Sequence, residues 1–247
     1  MPVETNEGGP AEVRPSIARG REAFSRGDYV TALDEFNSVV DRHPQYADIH
    51  QLMGLCFCLL GQPEAGLQSF EHALRINPNY VEALLNKAIT LSELGEFEAA
   101  NEAFEAARES EYAGDGRFSS AVANRLAEGH AELGDRYLEA GEVEESVRQF
   151  SRAVELRPTY PDLRTRLAEA LLRSGDLDAA EEQLDRAVED RPAFVRARAA
   201  RGLLYLRRGD SEAARTEWLR CQRDAPDDAL VRAYLSMLET DASGRES

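Results

Sequence analysis

Apolar residues recur along most of the chain in the three- and four-residue steps that place side chains on one face of an α-helix. Within this pattern a small residue repeatedly lies about one helical turn before a large one, as Ala32 lies before Phe36. The large residues of this column are Phe36, Phe70, Phe104, Phe150, Leu184 and Trp218. We therefore predict helices on which a bulky side chain fills the space left by a small one.

Glycine and proline mark the ends of these helices. The glycines between the two helices of each predicted pair recur at a constant interval, with one longer interval in the middle of the chain. They are Gly27, Gly61, Gly95, Gly141, Gly175 and Gly209. Glycine accepts the left-handed conformation that ends a helix, and a following Asp, as in Gly27-Asp28, can cap the next one. Proline follows the second helix in all copies but the third, where Tyr112 stands, and it terminates a helix because it lacks an amide donor.

The pattern predicts six helix pairs and a thirteenth helix that caps the array. The paired helices are Arg14–Arg26, Tyr29–Arg42, Ala47–Leu60, Pro63–Ile76, Val81–Leu94, Phe97–Ser110, Arg117–Ala140, Val143–Leu156, Pro161–Ser174, Leu177–Asp190, Phe194–Arg208 and Ser211–Asp224. The capping helix is Asp228–Glu239. The predicted organisation is a flexible tail at 1–13, repeats at 14–112, an insertion at 113–126, repeats at 127–227, the capping helix at 228–239 and a flexible tail at 240–247.

The longer interval, from Gly95 to Gly141, contains extra residues near Ala113–Asn124. The sequence Ala-Gly-Asp-Gly at its start predicts a loop, whereas Phe118–Leu126 extends the following helix. Two interpretations stay open, a hinge or lid over a groove and a tolerated loop extension on one side of the stack.

The helix pair of about 34 residues, with its columns of small residues, large residues, glycine and proline, resembles the tetratricopeptide repeat. The resemblance covers residues 14–227 and implies an all-α, right-handed superhelical solenoid of antiparallel helix pairs. It also implies that the first helices of successive pairs line a concave groove that holds peptide partners.

This resemblance places candidate partner-binding residues on the first helices. In the N-terminal half they are Leu52, Leu55, Leu85, Asn86 and Ile89. In the C-terminal half they are Glu128, Glu132, Asp135, Asp162, Arg166 and Glu169. The expected groove therefore changes from apolar to acidic along the chain. In related proteins, lysines, an arginine and asparagines on the first helices clamp the tails of chaperones. The residues at the first-helix positions of this chain do not form such a clamp.

Two of these features have alternative interpretations. Glu128, Glu132 and Asp135 share one helix face with Glu139, and this stripe either receives a basic peptide through charge-assisted hydrogen bonds or is a solvated helix face. The amide of Asn86 either binds the backbone of an extended peptide or is solvated.

Charge limits the class of partner. The chain has 46 acidic and 29 basic residues and a net charge of -17, which disfavours nucleic acid and anionic membrane surfaces and favours basic or apolar proteins and peptides. Met1–Glu12 lacks the features of a signal peptide, and the apolar stretch at Leu55–Leu60 is shorter than the roughly 20 residues of a membrane span. We expect a cytoplasmic protein without membrane insertion.

No glycine-rich phosphate loop, nucleophile motif or metal-ligand spacing is present in the sequence. We therefore predict a non-catalytic interaction scaffold without cofactor or metal, which binds a peptide or protein in the groove. The alternative is a structural solenoid that self-associates as a homo-oligomer, either by stacking end to end or by packing on its convex face as a homodimer. Ile17 and Phe24 of the first repeat are candidate residues for such an edge.

Overall fold

The structure, a computed structural model, describes residues 12–115 and 120–244. Within these ranges the regular secondary structure is entirely α-helical. The first six helices are α1 (Arg14–Ser25), α2 (Tyr29–Val40), α3 (Ala47–Leu59), α4 (Pro63–Ile76), α5 (Val81–Glu93) and α6 (Phe97–Asp115). The others are α7 (Ser120–Ala140), α8 (Val143–Leu156), α9 (Pro161–Ser174), α10 (Leu177–Asp190), α11 (Val195–Arg207), α12 (Ser211–Asp224) and α13 (Ala229–Gly244). They form consecutive pairs, which confirms the predicted fold class.

The helix bounds differ most from the prediction at α6 and α13. Helix α6 continues through Ala113 and Gly114 to Asp115, so the loop predicted at this point is wrong for these three residues. The reason is that Tyr112 stands where the other copies have proline, so no terminator stops the helix. Helix α13 likewise ends at Gly244, and residues 240–244 are helical where a flexible tail was predicted. The predicted start of α7 at Arg117 lies outside the described residues.

The chain divides into two compact units, Met1–Val122 and Ala123–Ser247. We call them the first and the second unit. Their boundary falls within the insertion predicted at 113–126, and its role as a hinge, lid or loop extension stays a prediction. The first unit contains α1–α6, and the second contains nearly all of α7 and the helices that follow.

Small residues on the first helices pack against the predicted column of large residues in each unit. In the first unit, a Cβ atom added to Gly20 on α1 would lie 2.5 Å from Cε1 of Phe36 on α2. In the second unit, a Cβ atom on Gly134 of α7 would lie 2.9 Å from Cε1 of Phe150 on α8. The aromatic ring of the second helix therefore occupies the space that glycine leaves on the first, which brings the two helices close together.

The predicted roles of glycine and aspartate between paired helices are confirmed in both units. All six glycines between paired helices have positive φ, as at Gly175 with 89°, which glycine adopts without a steric penalty. The side chains of Asp28, Asp176 and Asp210 accept hydrogen bonds from the backbone amides three residues later. These carboxylates cap α2, α10 and α12, and they satisfy amides that have no partner within the helix.

Both ends of the described chain are packed. Val13, predicted to belong to a flexible tail, is only 1% exposed and packs into the core of the first unit. At the other end, α13 covers Trp218, whose ring stacks on Tyr234 with 4.8 Å between centroids. The indole Nε1 of Trp218 donates to the backbone oxygen of Ala199 at 3.0 Å. Helix α13 therefore acts as the predicted cap.

Candidate partner-binding surfaces

Five charged side chains on the first helices of the second unit form a continuous network. Nη1 of Arg166 on α9 lies 2.9 Å from Oδ2 of Asp135 on α7, and its Nε lies 3.2 Å from Oδ2 of Asp162. Arg196 on α11 approaches Asp162 at 3.5 Å. It also donates from Nε and Nη2 to the two carboxylate oxygens of Glu169, at 2.9 and 2.7 Å. We call these five residues the ion-pair belt.

The ion-pair belt pairs part of the charge in the C-terminal groove that the sequence predicts to be acidic. Three predicted carboxylates, Asp135, Asp162 and Glu169, share two guanidinium groups. Arg196 was missed, although it occupies in the next repeat the position that Asp162 holds in its own. Burial raises the pKa of the Asp135 carboxyl above its ordinary value, while Arg166 and Arg196 oppose the rise. The hydrogen bond to Glu169 raises the pKa of Arg196.

Helix α7 retains the predicted acidic face. Glu128, Glu132 and Glu139 are exposed, and together with Asp135 they form what we call the α7 stripe. Glu139 accepts from Nη1 of Arg136 at 3.3 Å, an interaction between exposed groups. Such an exposed pair contributes little to stability. The four carboxylates give the α7 stripe negative charge, part of which pairs with Arg136 and Arg166.

A concave pocket of about 710 Å³ lies between α9, α11 and α13, next to the ion-pair belt. Its walls are mainly apolar and are formed by Leu172, Val195, Ala199, Ala200, Leu203, Leu230 and Tyr234. Glu169, Arg173, Arg196, Arg207 and Asp228 complete the lining. We call this the cap pocket, because the capping helix supplies one wall. Sequence reasoning missed it, since it depends on how α13 packs against the last repeat.

Two arginines at the cap pocket differ from those of the ion-pair belt. Arg207 donates from Nη1 to the backbone oxygen of Leu172 at 2.7 Å, and it therefore satisfies a carbonyl at the end of α9. Arg173 is exposed in the last turn of the same helix. In the described part of the chain, no carboxylate forms an ion pair with either guanidinium. The pocket thus combines apolar walls with two arginines outside the ion-pair belt, and the carboxylate of Asp228 lies in the same lining.

The first unit presents a different surface on its first helices. Leu52, Leu55 and Ile89 are partly buried, and Asn86 is 8% exposed. Leu85 is fully buried, so the prediction that it lines a groove is wrong. It occupies the same repeat position as Gln51, which is also buried, and this column faces neighbouring helices instead of solvent.

A charged contact between first helices also occurs in the first unit. Nη2 of Arg21 on α1 lies 3.0 Å from Oδ2 of Asp48 on α3, and both side chains are about half exposed. Helices α3 and α5 are further joined by the contact of Cys58 Sγ with Thr90 Oγ1 at 3.5 Å. The first unit therefore lacks, among its described residues, a counterpart of the ion-pair belt.

Family comparisons agree with this repeat architecture. A profile described as "Tetratricopeptide repeat" matches residues 59–124 and 137–204, which together are more than half of the chain. Further profiles with the same description match 17–81 and 195–220. The chain belongs to the tetratricopeptide repeat family. Proteins of this family are typically non-catalytic scaffolds for protein–protein interaction.

Similar proteins share single regions or the fold with this tetratricopeptide protein. The "Outer dynein arm-docking complex subunit 4" of Xenopus laevis is 30% identical over 84 residues, 34% of this chain and 16% of that protein. The "RNA polymerase-associated protein CTR9" of Caenorhabditis elegans is 34% identical over 91 residues, 36% of this chain and 8% of that protein. These alignments span less than a fifth of each relative.

Solved structures show the same fold. YrrB, described as a TPR protein with an unusual peptide-binding site, superposes with a TM-score of 0.61 at 18% identity. The superposition covers 80% of this chain and 96% of YrrB. At this identity the likeness concerns the fold alone.

Other candidate chemistry in this tetratricopeptide protein is limited. The rings of His50 and His72 lie 5.4 Å apart, and burial, with Arg75 and His50 nearby, lowers the pKa of His72. Within residues 12–115 and 120–244, no three His, Cys, Asp or Glu side chains come together as metal ligands. No helix in these ranges has the length and apolar character that crossing a bilayer requires.

Proposed function

We propose that this protein is a non-catalytic interaction scaffold that binds an extended segment of a protein partner on the first helices of its second unit. The observation that carries the proposal is the cap pocket, with its apolar walls and about 710 Å³ of space. Pockets that bind ligands typically enclose about 300–1,000 Å³ and combine apolar walls with a few polar groups. The first-helix residues named from the sequence, Asp162, Arg166 and Glu169 among them, then border the bound segment.

Leu230 gives the cap pocket its most accessible apolar wall. It is 55% exposed, so most of its apolar surface is available to a partner. A partner side chain that covers it gains roughly 25 cal/mol for each Å² of apolar surface removed from water. Full burial of one large apolar side chain releases about 1.5–3 kcal/mol, and the ordering of the partner on binding offsets part of this gain.

Self-association is the alternative function. Its predicted edge residues, Ile17 and Phe24, pack in part against the core cluster of the first unit, which makes them less available to a second copy. Light scattering over a range of concentrations tests this alternative. A protein that stays monomeric at high concentration rules out self-association as its main role.

The test of peptide binding uses a displayed library of random 12-residue peptides, selected on the whole protein. We expect the selected peptides to bind Leu230→Ser at least tenfold more weakly than they bind the wild type. A tenfold change in affinity corresponds to about 1.4 kcal/mol of binding free energy. Val30→Ser is the matched control, since Val30 is 59% exposed and is also the second residue of its helix, α2. If every selected peptide binds the wild type and Leu230→Ser equally, the proposed site is wrong.

A further inference from the structure

The charge on the first helices of the second unit changes in one direction along the chain. Four first-helix positions are compared between the successive repeats of this unit. On α7 all four carry a carboxylate, and they form the α7 stripe. On α9 they are Asp162, Arg166, Glu169 and Arg173, two of each sign. On α11 they are Arg196, Ala200, Leu203 and Arg207, which carry positive charge only. The surface is therefore negative at α7, balanced at α9 and positive and apolar at α11.

Resting on the proposed function, we propose that the bound segment is itself charge-polarised. Its basic residues lie on the α7 stripe, an apolar side chain occupies the cap pocket, and a carboxylate next to that side chain pairs with Arg173 and Arg207. This partner differs from the basic or apolar one that the net charge of -17 predicts.

The ion-pair belt determines where a partner finds charge to pair with. Arg166 and Arg196 already contact carboxylates at 2.7–3.5 Å. The middle of the surface is therefore largely compensated, and a partner charge placed there would compete with existing pairs. Beyond these ion pairs, Glu128 on α7 and Arg173 and Arg207 at the cap pocket carry the remaining charge, which attracts complementary groups and repels like charges.

Charge complementarity also selects against simpler partners. A uniformly basic peptide that follows the surface from α7 would meet the guanidinium groups of Arg173 and Arg207 at the cap pocket. A uniformly acidic segment would meet the α7 stripe. Arginine and carboxylate groups form strong, often bidentate hydrogen bonds, so a carboxylate at the cap pocket fits the two arginines that have no acidic partner in the described part.

Helix packing gives the spacing of charges in the partner. Packed helices lie about 8–10 Å apart, so α7 and α11, separated by two intervals, lie roughly 16–20 Å apart. An extended chain advances about 3.3–3.6 Å per residue. The basic group and the acidic group of the partner are therefore separated by about five or six residues.

Two synthetic 12-residue peptides of identical composition test the proposal. The polarised peptide carries three lysines near one end and a leucine flanked by two aspartates about six residues away, and the mixed peptide has the same charges interspersed. Fluorescence anisotropy with the whole protein in about 50 mM salt, where exposed charges interact over longer distances, should show at least tenfold tighter binding of the polarised peptide. Equal affinity of the two peptides overturns the proposal.

Charge-neutralising variants locate the two ends of the peptide. We expect Glu128→Gln and Arg173→Gln each to weaken the polarised peptide about threefold, and the double variant to weaken it about tenfold. Glu155→Gln on α8 and Arg215→Gln on α12, both exposed, are the matched controls and should leave its affinity unchanged.

The same measurements separate the two proposals. If Leu230→Ser weakens binding but neither Glu128→Gln nor Arg173→Gln does, the pocket binds peptides and the polarised partner is wrong. If Leu230→Ser has no effect on either peptide or on the library peptides, the proposed site fails together with the inference that rests on it.

Discussion

The first helices of the two units use equivalent positions of one repeat but present different chemistry. In the first unit the exposed ion pair of Arg21 with Asp48 joins two first helices. In the second unit the ion-pair belt joins three, with contacts to both oxygens of Glu169. The packing of aromatic rings on glycine is nevertheless the same in both, at Phe36 and Phe150. The repeat thus determines which positions face inward, while the exposed first-helix positions are free to differ.

The largest expected effect tests whether the two units are independent in stability. Trp218→Ala removes a fully buried side chain and its hydrogen bond to Ala199, and it should destabilise the second unit by about 3–5 kcal/mol. Because repeats interact mainly with their neighbours, hydrogen exchange should accelerate in α11–α13 and stay slow in α1–α4.

The matched variant for this test is Phe36→Ala, the equivalent position of the first unit, which is also fully buried. It should reverse the pattern, with faster exchange in α1–α3. If both variants accelerate exchange throughout the chain to the same extent, the two units unfold as one.

A smaller effect tests the packing that the units share. In Gly54→Ala the new Cβ collides with the ring of Phe70, and overpacking typically costs about 1–3 kcal/mol. The fifth repeat has Ala168 and Leu184 at the equivalent positions. Adding Phe70→Leu to Gly54→Ala should therefore recover part of the loss in urea denaturation. A double variant less stable than Gly54→Ala alone would contradict this account of the column.

The next effect concerns the difference between the units directly. Arg166→Met leaves Asp135 and Asp162 without one of their cations, and we expect a loss of about 1 kcal/mol, the upper end of the range for such pairs. Arg21→Met removes an exposed pair with side chains 56% and 42% exposed and should cost about 0–0.5 kcal/mol. Thermal denaturation at low and high salt measures both, and the difference should shrink in salt. Equal losses would mean that the belt is no stronger than an isolated pair.

The sequence predicts the helices well because each is delimited locally by its own glycine, cap or proline. It fails at Asp115, where the terminator is missing and the helix continues. The site is predicted less well. Leu85 has the right spacing for a groove but is fully buried, because the period alone does not decide which side of a first helix is exposed. Arg196 could have been predicted from the sequence, because it occupies the repeat position of Asp162. Its pairing with Glu169 could not, because that pairing depends on contacts between repeats.

The smallest expected effect is a difference in titration between the two units. Burial raises the pKa of Asp135 in the second unit, whereas the hydrogen bonds from Arg19, at 2.6 and 2.7 Å, lower the pKa of Glu35 in the first. Carboxyl chemical shifts in NMR should therefore place Asp135 above and Glu35 below the ordinary values of about 3.9 and 4.3.

These shifts have opposite consequences for stability. The folded protein binds a proton at Asp135 more tightly than the unfolded chain does, so this group adds stability as the pH falls through its folded pKa. Glu35 contributes stability above its ordinary pKa and loses it as the pH falls through its lower, folded value. Asp135→Asn should therefore remove a gain in the free energy of unfolding at acidic pH. Glu35→Gln should remove a loss of the free energy of unfolding in the same pH range. Parallel pH profiles for the two variants would contradict the assigned causes, because burial and hydrogen bonding shift a carboxyl pKa in opposite directions.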